Sequence, residues 1–114
     1  MVLRRIVNPD TTTPEVDVAE TVQRWSDRSA QLVDVREPKE WVDGHIPGAI
    51  HIPLGDLAGR ANELIKETPV ITICHSGVRS LAAADELIEE GFADVASLNG
   101  GMIAWSKAGH PVES

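Results

Sequence analysis

The sequence predicts an α/β fold, a parallel sheet with helices on both faces, and three observations predict it. Short β-branched runs alternate with segments of helical periodicity. No hairpin signature such as Asn-Gly separates two strand-like runs. One run, Val70-Ile71-Thr72-Ile73, is apolar or β-branched at nearly every position, as a strand buried on both faces requires.

Residues 1–13, with Pro9, three threonines and no periodicity, read as an irregular lead-in, and the domain proper spans 14–112. Asp17-Val18-Ala19-Glu20 has capping-box spacing and starts a helix with Val18, Val22 and Trp25 on one face, closed by the polar run 26–29. Leu32 to Val35 is a strand; Pro38 then opens a short helix through Trp41 and Val42 that stops at Gly44. Ala49 to Ile52 forms a brief strand, and Leu54, Leu57, Ala61, Leu64 and Ile65 fit one amphipathic helix broken by Pro69. After the strand at 70–73, Leu81, Ala84, Leu87 and Ile88 mark a helix from Arg79 to Gly91. Val95 to Leu98 is the last strand, and Met102, Ile103 and Trp105 fit a short final helix.

Composition narrows the function. The chain has 114 residues, 42% hydrophobic and 25% charged, the balance of one water-soluble globular domain. Its single cysteine, Cys74, excludes an internal disulfide and a Cys-rich zinc site, and the sequence calls for no metal and no cofactor. A net charge of −8 argues against nucleic acid and anionic lipid as partners. With no secretion-signal pattern and no run of about 18 apolar residues, a cytoplasmic location is expected.

Chemistry concentrates after the buried strand. In an open parallel sheet the functional crevice lies beyond the carboxyl ends of the strands, where Cys74-His75-Ser76-Gly77-Val78-Arg79-Ser80 begins. Gly77 permits a turn in which successive N–H groups face inward as a nest for an anion, and the helix opening at Arg79 adds unpaired donors. A free thiol of pKa about 8.5 is only about 3% ionised at pH 7; about 2.7 kcal/mol of selective stabilisation makes it mostly thiolate. The nest, the helix end and Arg79 can supply that, so Cys74 is read as a nucleophile open to small reagents. An inert buried cysteine is the competing reading.

These residues, with Leu32-Val33-Asp34-Val35-Arg36-Glu37, Gly44-His45-Ile46-Pro47-Gly48-Ala49, Ile52-Pro53, Gly100-Gly101, Trp105 and Gly109-His110-Pro111-Val112, resemble the single-domain rhodanese family of sulfurtransferases. The resemblance covers about residues 14 to 112 and implies a rhodanese-like domain with about five parallel strands. It further implies that Cys74 attacks the outer sulfur of thiosulfate or a similar small anionic donor. The sulfur is then held as a Cys74 persulfide and passed to cyanide or to a thiol or dithiol acceptor, a protein among them. Two displacements through one covalent intermediate predict ping-pong kinetics.

By the same resemblance the substrate-binding set is Arg79, Arg36, His75, Ser76, Gly77, Val78 and Ser80. The loop amides hold the persulfide, and Arg79 binds the donor's anionic end or stabilises the loop. Arg36 has two readings of equal weight, a charge on the rim or a structural ion pair. His75 adjoins the nucleophile but is not read as its base, and His45 is assigned a structural hydrogen bond. Trp25, Trp41 and Trp105 read as packing residues. A persulfide carrier or regulatory binding module with little turnover is the main alternative function. A cysteine phosphatase is the lesser one, because four residues separate Cys74 from Arg79 where the related phosphatases have five.

Overall fold

Five strands, β1 (Glu15–Val16), β2 (Gln31–Asp34), β3 (Ile50–His51), β4 (Val70–Ile73) and β5 (Val95–Leu98), run parallel in the order β1-β5-β4-β2-β3. They are seen in the computed structural model, which describes residues 2–114. The alternation of β4 divides the core. Val70 and Cys74 join one apolar cluster with Val33, Val35, Ala83, Ala84 and Leu87, whereas Ile71 and Ile73 join the other with Leu32, Leu98, Met102 and Trp105. Helices α3 (Leu57–Arg60) and α4 (Arg79–Glu89) therefore cover the first face, and α1 (Val18–Asp27) and α5 (Gly101–Lys107) the second. The short helix α2 (Pro38–Asp43) buries no residue in the core.

Local chemistry sets the element ends. The Asp17 carboxylate accepts the Glu20 N–H at 2.8 Å and starts α1, and Arg28, at φ 58°, closes it in the left-handed conformation usually left to glycine. Pro38 stands in the first turn of α2, where the side chain of Glu40 accepts the Glu37 N–H at 3.2 Å.

One expectation is corrected, and one strand is added to those the residue patterns reveal. The single helix expected over 54–65 is instead a 3₁₀ turn (Leu54–Asp56), one turn of α3, and a second 3₁₀ turn (Ala61–Glu63). Gly55 and Gly59 lie in this stretch, where each costs a continuous helix about 1 kcal/mol relative to alanine. Leu57, Ala61 and Leu64 still reach the core, but Ile65 is left exposed. Residue patterns revealed four strands; the fifth, β1, is only two residues long, too short to show a period, and is held by Ser97 N–H to Pro14 O and Asn99 N–H to Val16 O, both 2.9 Å. Ahead of it the lead-in packs against the domain, with Leu3 buried and its N–H on Asp94 Oδ2 at 2.6 Å.

The order of strands places the crevice. From β2 the chain moves outward to β3, then crosses to β4 on the other side of β2 and continues to β5. The connections diverge between β2 and β4, the position at which open parallel sheets bind ligands. Cys74 follows β4 and Arg36 follows β2, so both stand at this divide. Among the described residues no helix is long and apolar enough to cross a membrane.

Trp105 anchors the second face. It is fully buried, meets Trp25 edge-on at 5.4 Å between ring centroids, and donates from Nε1 to the Pro111 carbonyl at 2.8 Å. Trp105→Ala is expected to lower the unfolding free energy by about 3–5 kcal/mol in urea denaturation.

Candidate active site

The loop from Cys74 to Ser80 leaves the central strand and turns directly into α4. Its shape depends on where its carbonyls go. Met102 N–H donates to Cys74 O at 2.8 Å and Ile103 N–H donates to His75 O at 3.1 Å, so the first turn of α5 takes up both carbonyls. Gly101 makes this approach feasible. At φ 53° it lies in the left-handed region, and a Cβ there would collide with the carbonyl oxygens of Cys74 and His75. Gly77, at φ 99°, is pressed against Gly100 N in the same way, a Cβ falling 3.0 Å from it.

With the carbonyls turned outward, donors turn inward. Gly77 N–H donates to Cys74 Sγ at 3.1 Å, and Ser80 Oγ lies 3.3 Å from the same sulfur. Ser80 Oγ is also 2.7 Å from Ser97 Oγ. A thiolate can only accept, so with Cys74 ionised the Ser80 hydroxyl donates to sulfur and the Ser97 hydroxyl donates to Ser80. Thr72 Oγ1 donates to the Ser80 carbonyl at 2.7 Å, which ties the loop's end back to β4. Burial pushes the Cys74 thiol up, but the Ser80 hydroxyl and the N–H groups of Ser80, Gly77 and Ser76 outweigh it and leave the thiol below its ordinary value.

The expected open thiol is corrected: Cys74 is 1% exposed, because loop and core close over it. The loop's side chains divide accordingly. Ser80 is buried against the sulfur, while His75, Ser76 and Val78 face solvent on the rim.

Arg79 turns its guanidinium to Glu40 of α2, with Nη1 on Oε1 at 2.7 Å and Nη2 on Oε2 at 2.8 Å. This fork holds the Glu40 carboxyl down at about 2 and raises Arg79. Of the two readings of Arg36, the geometry has the ion pair. Nε and Nη2 donate to the Asp34 carboxylate, at 2.7 Å for the shortest contact, and Nη2 also donates to Gly44 O at 2.7 Å. His45 Nδ1 is 2.8 Å from Trp41 O, and the indole of Trp41 stacks on the rings of both His45 and His51. Residue-by-residue reading of the sequence did not assign Glu40, Ser97 or Thr72, and gave Gly101 no role. The one available signal was the Gly100-Gly101 pair, since adjacent glycines after a strand mark a close backbone approach.

Three comparisons with known proteins bear on this geometry. The family model for the rhodanese-like domain matches residues 17–108. YrkF of Bacillus subtilis, whose name proposes a sulfur carrier, is 43% identical over 94 residues, 82% of this chain; the chain spans only 51% of that relative's length. Thiosulfate sulfurtransferase GlpE of Shewanella oneidensis is 37% identical over 93 residues, 82% of this chain and 92% of the relative. In structure, a rhodanese-related protein from Thermoplasma volcanium superposes with a TM-score of 0.80 at 29% identity, over 87% of this chain and 96% of that one.

Two measurements follow from the site's electrostatics. Removing the Ser80 hydroxyl takes a donor from the thiolate, so Ser80→Ala is expected to raise the midpoint of the thiolate ultraviolet absorbance by about one pH unit or more, read without interference because Cys74 is the only cysteine. Glu40 has a folded-state pKa depressed from 4.5 to about 2, so its contribution to stability is complete above about pH 4.5 and is lost as pH falls toward 2. In urea denaturation Glu40→Gln should therefore be less stable than the wild type at neutral pH, and the gap should close across that acid window.

Proposed function

We propose that this chain, which belongs to the rhodanese-like domain family, is a sulfurtransferase that moves a sulfane sulfur from thiosulfate or a similar donor to a thiol or cyanide acceptor through a Cys74 persulfide. The observation that carries the reading is the sulfur's own environment: a buried Sγ with a lowered pKa that accepts from Gly77 N–H and meets the Ser80 hydroxyl. Donors aimed at sulfur stabilise the thiolate that attacks and the charge left on the persulfide it becomes.

In the first step the Cys74 thiolate attacks the outer sulfur of thiosulfate. The new S–S bond forms as the donor's S–S bond breaks, and sulfite leaves with the electron pair. In the second step an acceptor thiolate attacks the outer sulfur of the Cys74 persulfide and the Cys74 thiolate departs, ready for another cycle. The amides of the 75–80 loop hold the charge at each stage, and Arg79 orders the loop through Glu40 or meets the donor's anionic end.

The burial of Cys74 supports sulfur as the transferred atom. A sulfane sulfur stands alone at the end of its donor and can enter a closed loop end-on, whereas phosphorus is screened by its own oxygens. The name of the Shewanella relative supports thiosulfate as donor, and that of the Bacillus relative supports a second reading, a persulfide carrier that hands sulfur to a partner protein. A reducing cytoplasm keeps a lone reactive cysteine available, and we assign the reaction there.

Intact mass spectrometry after mixing with thiosulfate should show one added sulfur atom, which cyanide or a dithiol removes. Cys74→Ser should take up none while staying folded, and Arg79→Ala should load roughly 10- to 100-fold more slowly. Wild-type transfer by Cys74→Ser would refute the mechanism, and loading without release to any small acceptor would favour the carrier.

A further inference from the structure

Both arginines beside the crevice are spoken for. Arg79 gives two guanidinium nitrogens to the two oxygens of Glu40, and Arg36 is held by Asp34 and the Gly44 carbonyl. Each pair sums to zero charge. Glu37 caps the same short helix that carries Glu40, Lys39 stands in its first turn and Asp43 ends it, three acids to one base; Arg36, Glu40 and Asp43 line the cavity of about 610 Å³ beside His75. His75 is the loop's remaining basic side chain.

That arrangement bears on the donor. Thiosulfate brings two negative charges to a thiolate, so its attack gathers three where the fixed charges cancel, at the edge of an acidic helix. An organic persulfide, R–S–SH, offers the same terminal sulfur without a dianionic leaving group. Attack by Cys74 forms the Cys74 S–S bond, breaks the donor's S–S bond and releases R–S⁻, so atoms and charge balance. Resting on the sulfurtransferase reading above, we infer that Glu40 is a positioning residue that sets donor selectivity: by occupying Arg79 it turns the site away from thiosulfate and toward organic persulfides.

Glu40 acts through Arg79, and its replacement can spare the local fold. Glu40→Gln keeps a side-chain oxygen for the Glu37 N–H, so the start of α2 retains its cap. Removing the carboxylate charge frees Arg79 to meet a dianion.

The test compares initial rates of sulfur loading on Cys74, by intact mass, with thiosulfate and with cysteine persulfide at equal concentration. The wild type is expected to load faster from cysteine persulfide. In Glu40→Gln the ratio of the thiosulfate rate to the persulfide rate should rise about tenfold, the size of effect expected when one nearby opposing charge is removed. A loss of folding alone would lower both rates and leave the ratio in place. An unchanged or falling ratio, or a wild type that prefers thiosulfate, would overturn the selectivity role while leaving sulfur transfer intact. Loading from neither donor would overturn the sulfurtransferase reading itself.

Discussion

The first turn of α5 holds the loop carbonyls of Cys74 and His75, and the chemistry of the site depends on those two hydrogen bonds. A peptide group that points its oxygen one way points its N–H the other. Fixing both carbonyls outward turns the N–H groups of His75 and Ser76, the other halves of those two peptides, to the opposite side, and with Gly77 N–H on the sulfur the nest around Cys74 is preorganised before any donor arrives. The arrangement needs Gly101 at a positive φ with no Cβ between the two backbones. It also explains why the sulfur can be deeply buried and yet have a lowered pKa: the loss of water is more than offset by donors placed within reach.

A second constraint is charge. The protein is acidic overall, and the two arginines near the crevice are matched one to one by carboxylates. Arg36 and Asp34 are both buried, so either alone would be an uncompensated charge at the end of a central strand, and the pair serves the scaffold. Arg79 and Glu40 are about one-third exposed, 36% and 32% of their side chains, which leaves their bond open to competition from a ligand. The first pair fixes the crevice wall; the second stands where solutes reach it.

Much of the scaffold was legible in sequence because its signals are local. The Asp17 cap, Pro38, the apolar run at 70–73 and the spacing of Leu81, Ala84 and Leu87 each report on a few neighbouring residues, and each element formed where those signals lie. The failures are equally physical. Glu15 and Val16 become a strand only because β5 offers an edge, and two residues carry no period of their own. The apolar spacing of Leu54 to Leu64 does mark a core face, but a bent path through two 3₁₀ turns presents the same residues, and Gly55 and Gly59 make bending inexpensive.

The sequence by itself determined the α/β class, the position of Cys74 at the mouth of the central strand, and a glycine-bearing loop able to turn its amides inward, since these follow from residue types within one short stretch. Only the tertiary structure decided which partners complete the site. Glu40 lies 39 positions from Arg79 and Ser97 lies 17 from Ser80, and no periodicity or local motif encodes which side chains a folded sheet will bring face to face. The burial of Cys74 belongs to the same category, because the number of atoms that close over a sulfur depends on how whole elements pack.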